Sequence, residues 1–179
     1  LFRSTTQVGV LKADQVRALT TAQVAKLDTN QLSALTNASV ALLNTAQVNA
    51  LSTGQLTSLN TSQVQALTAA VVTSLTTDKV AALTTTQVSA LSGNQMGALT
   101  TAEAQALTTT QVKVLGADQI RALTTASVAA LTTGQVQALT TTQVSGLISS
   151  TVASFTTTLP HPVDSSLSVV TRVLIFISF

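Results

Sequence analysis

The side chains of this sequence that carry reactive chemistry are few and lie far apart. His161 is the only histidine, and it stands between Pro160 and Pro162. A lone imidazole there has neither a metal co-ligand nor a proton-relay partner, so it reads as a solvated loop residue. The six acids Asp14, Asp28, Asp78, Glu103, Asp118 and Asp164 are spread along the chain, and none is spaced for paired-carboxylate acid/base work. Ser and Thr are abundant, but no base stands near to activate a hydroxyl. With no cysteine there is no thiolate, disulfide or thiol nucleophile. Neither a Gly-rich phosphate loop nor a calcium-loop pattern occurs. The expectation is a protein without catalytic, metal or cofactor residues, and not an enzyme.

Composition narrows the partners. Charged residues make up 8% of the chain, against roughly a quarter in ordinary soluble domains. The net charge of +2 comes from eight basic and six acidic groups; it reflects scarcity of charge and not a basic patch. With no Lys/Arg run, no Trp and no Tyr, nucleic-acid binding has no support. No apolar stretch reaches the roughly 18 residues of a membrane-spanning helix. Leu1-Phe2-Arg3 is not followed by a charged-then-apolar leader, so any targeting peptide is expected to be removed or outside this sequence.

What must be positioned, then, is a repeat. Leu recurs every eighth residue from Leu11 to Leu147 over eighteen octads with no insertion. Five residues after each Leu stands Val, Leu, Ile or Met in seventeen cases, the exception being Ala104. A single long helix cannot bury this pattern, because its Leu column would drift by about 80° per octad. A straight strand fails too, since the odd spacings of five and three put Leu and Val on opposite faces. The chain must change direction in every octad.

The residue after Leu marks where. In sixteen octads it is Thr, Ser, Asn, Asp or Gly, the N-cap preferences of a helix. Three residues on, thirteen octads carry Gln or Glu, which completes a capping box, and Leu before the cap with Val after it forms a hydrophobic staple. The pattern predicts caps at Thr84, Thr100 and Thr108 with return partners at Gln87 and Gln111, and a core containing Leu83, Val88, Leu91, Leu99, Leu107 and Val112. Asp14, Asp28, Asp78, Glu103 and Asp118 fall at helix starts and Arg17, Lys26, Lys113 and Arg121 near helix ends, as the helix dipole favours; Lys12 and Lys79 do not.

Helices this short are unstable alone, so the units must support one another. The expected fold is all-α, a solenoid of very short capped helices, one per octapeptide, over residues 1–154. Ala precedes Leu in eleven octads and would let neighbouring helices approach closely. The alternative is a β-solenoid, to which Thr and Val lean by propensity, although seven Gly in the whole chain are few for its turns.

Residues 155–179 have a different grammar. Val173, Ile175, Ile177 and Phe179 alternate with Val170, Arg172, Leu174 and Phe176, a β-prone segment apolar on nearly both faces. It is expected to cap the last repeat, or to dock on a second copy by strand addition. A third alternative, the closing strand of an outer-membrane barrel, fails because one strand makes no barrel.

The phrase Leu-Thr-Thr-x-Gln-Val, as at Leu83–Val88 and Leu107–Val112, resembles octapeptide arrays of large bacterial secreted and cell-surface proteins of adhesin-like character. The resemblance runs from residue 11 to about 154 and carries no catalytic residues. It implies a stalk, fibre or surface role outside the cell. The resulting expectation is an extracellular structural rod or filament subunit that associates with itself. A surface-binding module is the alternative, with ice or another ordered surface matched by rows of Thr such as Thr84-Thr85, whose exposed member also offers a place for glycans.

Overall fold

The structure is a computed structural model that describes residues 4–147. Among the described residues all regular structure is helical, and no strand occurs, so the β-solenoid alternative does not hold there. The helices are α1 (Thr5–Gly9), α2 (Ala13–Ala18), α3 (Thr21–Val24), α4 (Thr29–Ala34), α5 (Asn37–Val40), α6 (Thr45–Asn49), α7 (Thr53–Thr57), α8 (Thr61–Ala66), α9 (Ala69–Val72), α10 (Thr77–Ala82), α11 (Thr85–Ala90), α12 (Gly93–Ala98), α13 (Thr101–Ala106), α14 (Thr109–Lys113), α15 (Ala117–Ala122), α16 (Thr125–Ala129) and α17 (Thr133–Ala138). Residues 141–147 are helical as well. Segment 155–179, with Val173, Ile175, Ile177 and Phe179, lies outside the described residues.

From α1 to α17 each octad makes one helix of four to six residues and one corner. The corner is two consecutive extended residues: Leu83 at φ −52°, ψ 139°, then Thr84 at φ −69°, ψ 155°. Extended backbone at Leu ends one helix, and the Thr hydroxyl starts the next by accepting from the Gln87 N–H at 3.1 Å. No glycine in a left-handed conformation is needed, which is why an array with so few glycines can turn so often.

The octads wind into a coil whose turns stack. Each helix packs against the helix three places further on, from α1 on α4 through to α14 on α17. Side-chain amides tie residues 28 and 31 apart, and 28 residues are three and a half octads. A helix in one turn therefore sits over the gap between two helices of the turn below. The described residues make about five turns, roughly 45 Å of coil at the usual 8–10 Å between packed helices. Val and Leu from most octads meet inside in one continuous core, and Ala104, the small residue in the Val column, is also fully buried.

The close approach expected of the Ala before Leu is present, but it joins successive turns and not successive octads. Ala122 lies against Gly97, where a Cβ would come within 2.8 Å of the Ala122 carbonyl oxygen. Consecutive octads splay apart around the coil, so their small residues face the turns above and below.

Candidate functional site

The recurrent feature of the surface between turns is the third residue of each helix. Gln111 shows its geometry in full. Its Oε1 accepts from the backbone N–H of Thr108 at 2.7 Å, closing the capping box. Its Nε2 donates to the Val80 carbonyl at 3.0 Å and the Leu83 carbonyl at 2.6 Å, one turn of the coil below. One amide thus satisfies an orphan donor at the start of its own helix and two carbonyls at the end of another. Leu83, extended after α10, has no backbone N–H donating to its carbonyl.

The same double engagement recurs at Gln47, Gln63, Gln87, Gln95, Gln119, Gln135 and Gln143. Gln55 makes it with Ala25 and Leu27. These amides are buried almost throughout, and their bonds are worth more in the low dielectric between turns than in water.

Sequence reasoning assigned these residues only the local half of this work. A capping box is served by Gln or Glu alike, and an acid at a helix start is favoured by the dipole. Yet the position holds twelve Gln and one Glu. That bias was the available signal that the second, donating half of the amide is needed.

Among the described residues the column is interrupted at five places. Ser39 and Ser127 are too short to bridge fully; Ser127 Oγ reaches one carbonyl, that of Leu99, at 3.0 Å. Val71 is buried and offers no donor. Lys79 swings its ammonium to the Asn49 carbonyl, and desolvation holds its pKa below the ordinary lysine value of 10.5. Glu103 keeps the box, its Oε2 accepting from the Thr100 N–H at 2.7 Å and the Thr100 hydroxyl at 2.7 Å. Its other oxygen, Oε1, is buried without a partner. The register aims it at the carbonyls of Val72 and Leu75, where a Gln would donate.

Thr84, Thr100 and Thr108 cap α11, α13 and α14, with Gln87, Glu103 and Gln111 as return partners. Leu83, Val88, Leu91, Leu99, Leu107 and Val112 are buried. At Lys12 and Gly116 only the return half forms, from Gln15 and Gln119. The cap and the two residues after it are exposed in most octads. These hydroxyls lie at corners that rotate roughly 100° from one octad to the next, so they ring the coil and do not line one side.

Among the described residues no group of three or more His, Cys, Asp or Glu is placed to hold a metal ion. Two ion pairs there are local and exposed, Arg17 with Asp14 and Arg121 with Asp118. No helix among the described residues is long and apolar enough to cross a membrane.

No curated protein and no solved structure matches the chain. The ALTTAQ repeat model matches residues 24–61, 93–125, 105–133 and 118–149, which together span just over half of the chain. The phrase for which that family is described is the turn-making segment of the octad, Ala and Leu before the corner, Thr-Thr at the cap and Gln at the third helical position. The chain belongs to the ALTTAQ repeat family.

Proposed function

We propose that the chain is a non-catalytic structural rod, a stalk or filament segment at the outside of a cell. One observation carries this reading: every described turn of the coil is joined to the next by the same buried core and, in most octads, the same amide bridge. Such an array lengthens by adding octads without altering those already present, which is what a spacer requires. About 28 residues add one helix thickness, so the product is short for its mass but stiff and densely packed. A neutral rim of Thr and Ser, few charges and no cysteine suit an extracellular surface. So does the likeness of its Leu-Thr-Thr-x-Gln-Val phrase to arrays of large bacterial surface proteins.

Small-angle scattering from dilute, monomeric protein tests the shape, with an elongated particle of uniform cross-section expected; a spherical profile overturns the reading. Protease shaving of intact source cells tests the location, and protection of the repeat from protease would remove the extracellular part. The alternative of an ordered surface matched by Thr rows is tested by thermal hysteresis. Hydroxyls that ring the coil fit a flat lattice poorly, so none is expected.

A further inference from the structure

Of the Gln and Glu side chains at the bridging position, Glu103 is the single carboxylate. It uses Oε2 as the glutamines use Oε1, accepting from the Thr100 N–H at 2.7 Å, so its Oε1 occupies the place of the donating Nε2. The flanking bridges fix the height of that place. On one side Gln95 joins the Val64 and Leu67 carbonyls at 2.9 and 2.7 Å, and on the other Gln111 joins those of Val80 and Leu83 at 3.0 and 2.6 Å. Between them, α13 cannot draw away from the turn below without straining both.

The same steps set three backbone carbonyls before Oε1. Those of Val72 and Leu75 lie 31 and 28 residues back, the steps that Gln111 uses. That of Thr73 lies at the 30-residue step through which Gln63, Gln111 and Gln135 make a third, outer contact. The Thr73 and Leu75 carbonyls accept no backbone N–H, and the Val72 carbonyl accepts one, from Leu75 at 3.1 Å.

Glu103 is 3% exposed, and its Oε1 is buried without a partner. Among the described residues no basic side chain answers it. The ion pairs there are Arg17 with Asp14 and Arg121 with Asp118, and Lys79, on the neighbouring α10, turns its ammonium to the Asn49 carbonyl. A carboxylate that faces carbonyl oxygens in a low dielectric is repelled by them, and its burial is costly until a positive charge meets it.

We propose that this slot binds an alkali cation, sodium, held by Glu103 Oε1 and the carbonyls of Val72, Thr73 and Leu75. One carboxylate with backbone carbonyls at a helix end is a donor set of the kind that unwound helix ends offer to sodium in transporters. One positive charge cancels one carboxylate. Calcium takes roughly six to eight oxygens and magnesium gives up its waters reluctantly, so a slot with a single carboxylate suits neither. Thr73 is half-buried at the edge of the coil, which gives the ion its way in. The ion does for Glu103 what the amide hydrogens do for glutamine, and the joint beneath α13 depends on salt where its neighbours are closed by amides. Binding here is independent of whether the coil serves as a spacer.

The test compares the full wild-type chain with Glu103→Gln in tetramethylammonium chloride and in sodium chloride at equal ionic strength. Glutamine supplies its own donor, so the variant folds without the ion and should be the more stable chain in the organic salt. Sodium at about ten times its dissociation constant should raise the wild-type folding equilibrium about tenfold, read from urea midpoints, and slow amide exchange in α13 by a like factor. Glu103→Gln should show no such gain. The sodium NMR line should broaden with the wild type beyond its width with the variant. Equal responses of the two chains, a wild type indifferent to sodium because a proton or a water joins the turns instead, or a response to calcium that sodium does not match, overturns the proposal.

Discussion

The stretch from α14 to 141–147 and the stretch from α9 to α13 follow the same octad rule with unequal means. In the first, Gln111, Gln119, Gln135 and Gln143 each bridge to the turn below, and only Ser127 falls short. In the second, only Gln87 and Gln95 bridge, and Val71, Lys79 and Glu103 hold the other three positions. The backbone path is the same in both, with corners at closely similar dihedrals, and the stretch with fewer bridges even has the better-buried core, since Val128, Leu131, Val136 and Leu139 of the first are partly exposed. Geometry is thus set by the cap and the Leu/Val core, and the amide adds adhesion between turns to a path already determined. A broken bridge should weaken the coil locally without redirecting it.

The largest effect should come from breaking an intact bridge. Gln111→Leu removes the acceptor for the Thr108 N–H and leaves the Leu83 carbonyl buried without a donor. The expected loss is about 3 kcal/mol, read by urea denaturation. Gln111→Glu keeps the box and should cost less, about 2 kcal/mol. A loss under half a kilocalorie for the leucine variant would show that the bridge is ornamental. In a stacked array unfolding need not be two-state, so a local probe such as amide exchange near Leu83 should register the change first.

The mirror image is Glu103→Gln. It supplies the missing donor beneath α13, where Oε1 now stands buried and unpartnered, and should stabilise by about 1–2 kcal/mol. A neutral or destabilising outcome would mean that water or a shifted carboxylate already meets the need.

Thr84→Val addresses the cap alone. It should cost about 1 kcal/mol in thermal or urea melts, because the Gln87 N–H loses the Thr84 hydroxyl while the core keeps its contacts. In a strand-built coil the same change would have been neutral or favourable.

How much of this was legible follows from which forces are local. The corner was readable at Leu83-Thr84 and Gln87, because a cap hydroxyl and its return partner are three residues apart and leave a fixed spacing. The core column was readable because Leu recurs at every eighth residue from Leu11 to Leu147, with an aliphatic residue such as Val88 five places later in every octad but that of Ala104. The pitch was not: whether Gln111 reaches back 28 residues, or one octad, depends on how sharply each corner bends, and no residue encodes that angle by type. The Ala before Leu signalled close packing correctly, but its partner belongs to the next turn, as Ala122 with Gly97 shows. Glu103 looked like an ordinary capping-box acid, because its fault appears only once a turn is laid beneath it.

The smallest expected effect concerns Lys79, the one bridging position with a charge that titrates at high pH. Its ammonium is held among neighbouring turns with the Asn49 carbonyl as acceptor, and desolvation lowers its pKa below 10.5. Between the folded value and 10.5 the unfolded chain binds more protons than the folded one, so this residue makes stability rise with pH across that window. Below the window the cost of burying the ammonium is present in full. Lys79→Gln carries no such charge and offers an amide to the carbonyls of Val48 and Leu51, by the same register. It should therefore be the more stable form near neutral pH, with the gap between the two chains closing as pH climbs toward 10.5. Urea midpoints of both chains at pH 7 and pH 10 check this; a gap that widens on raising the pH would mean that the contact of the ammonium with the Asn49 carbonyl outweighs its desolvation.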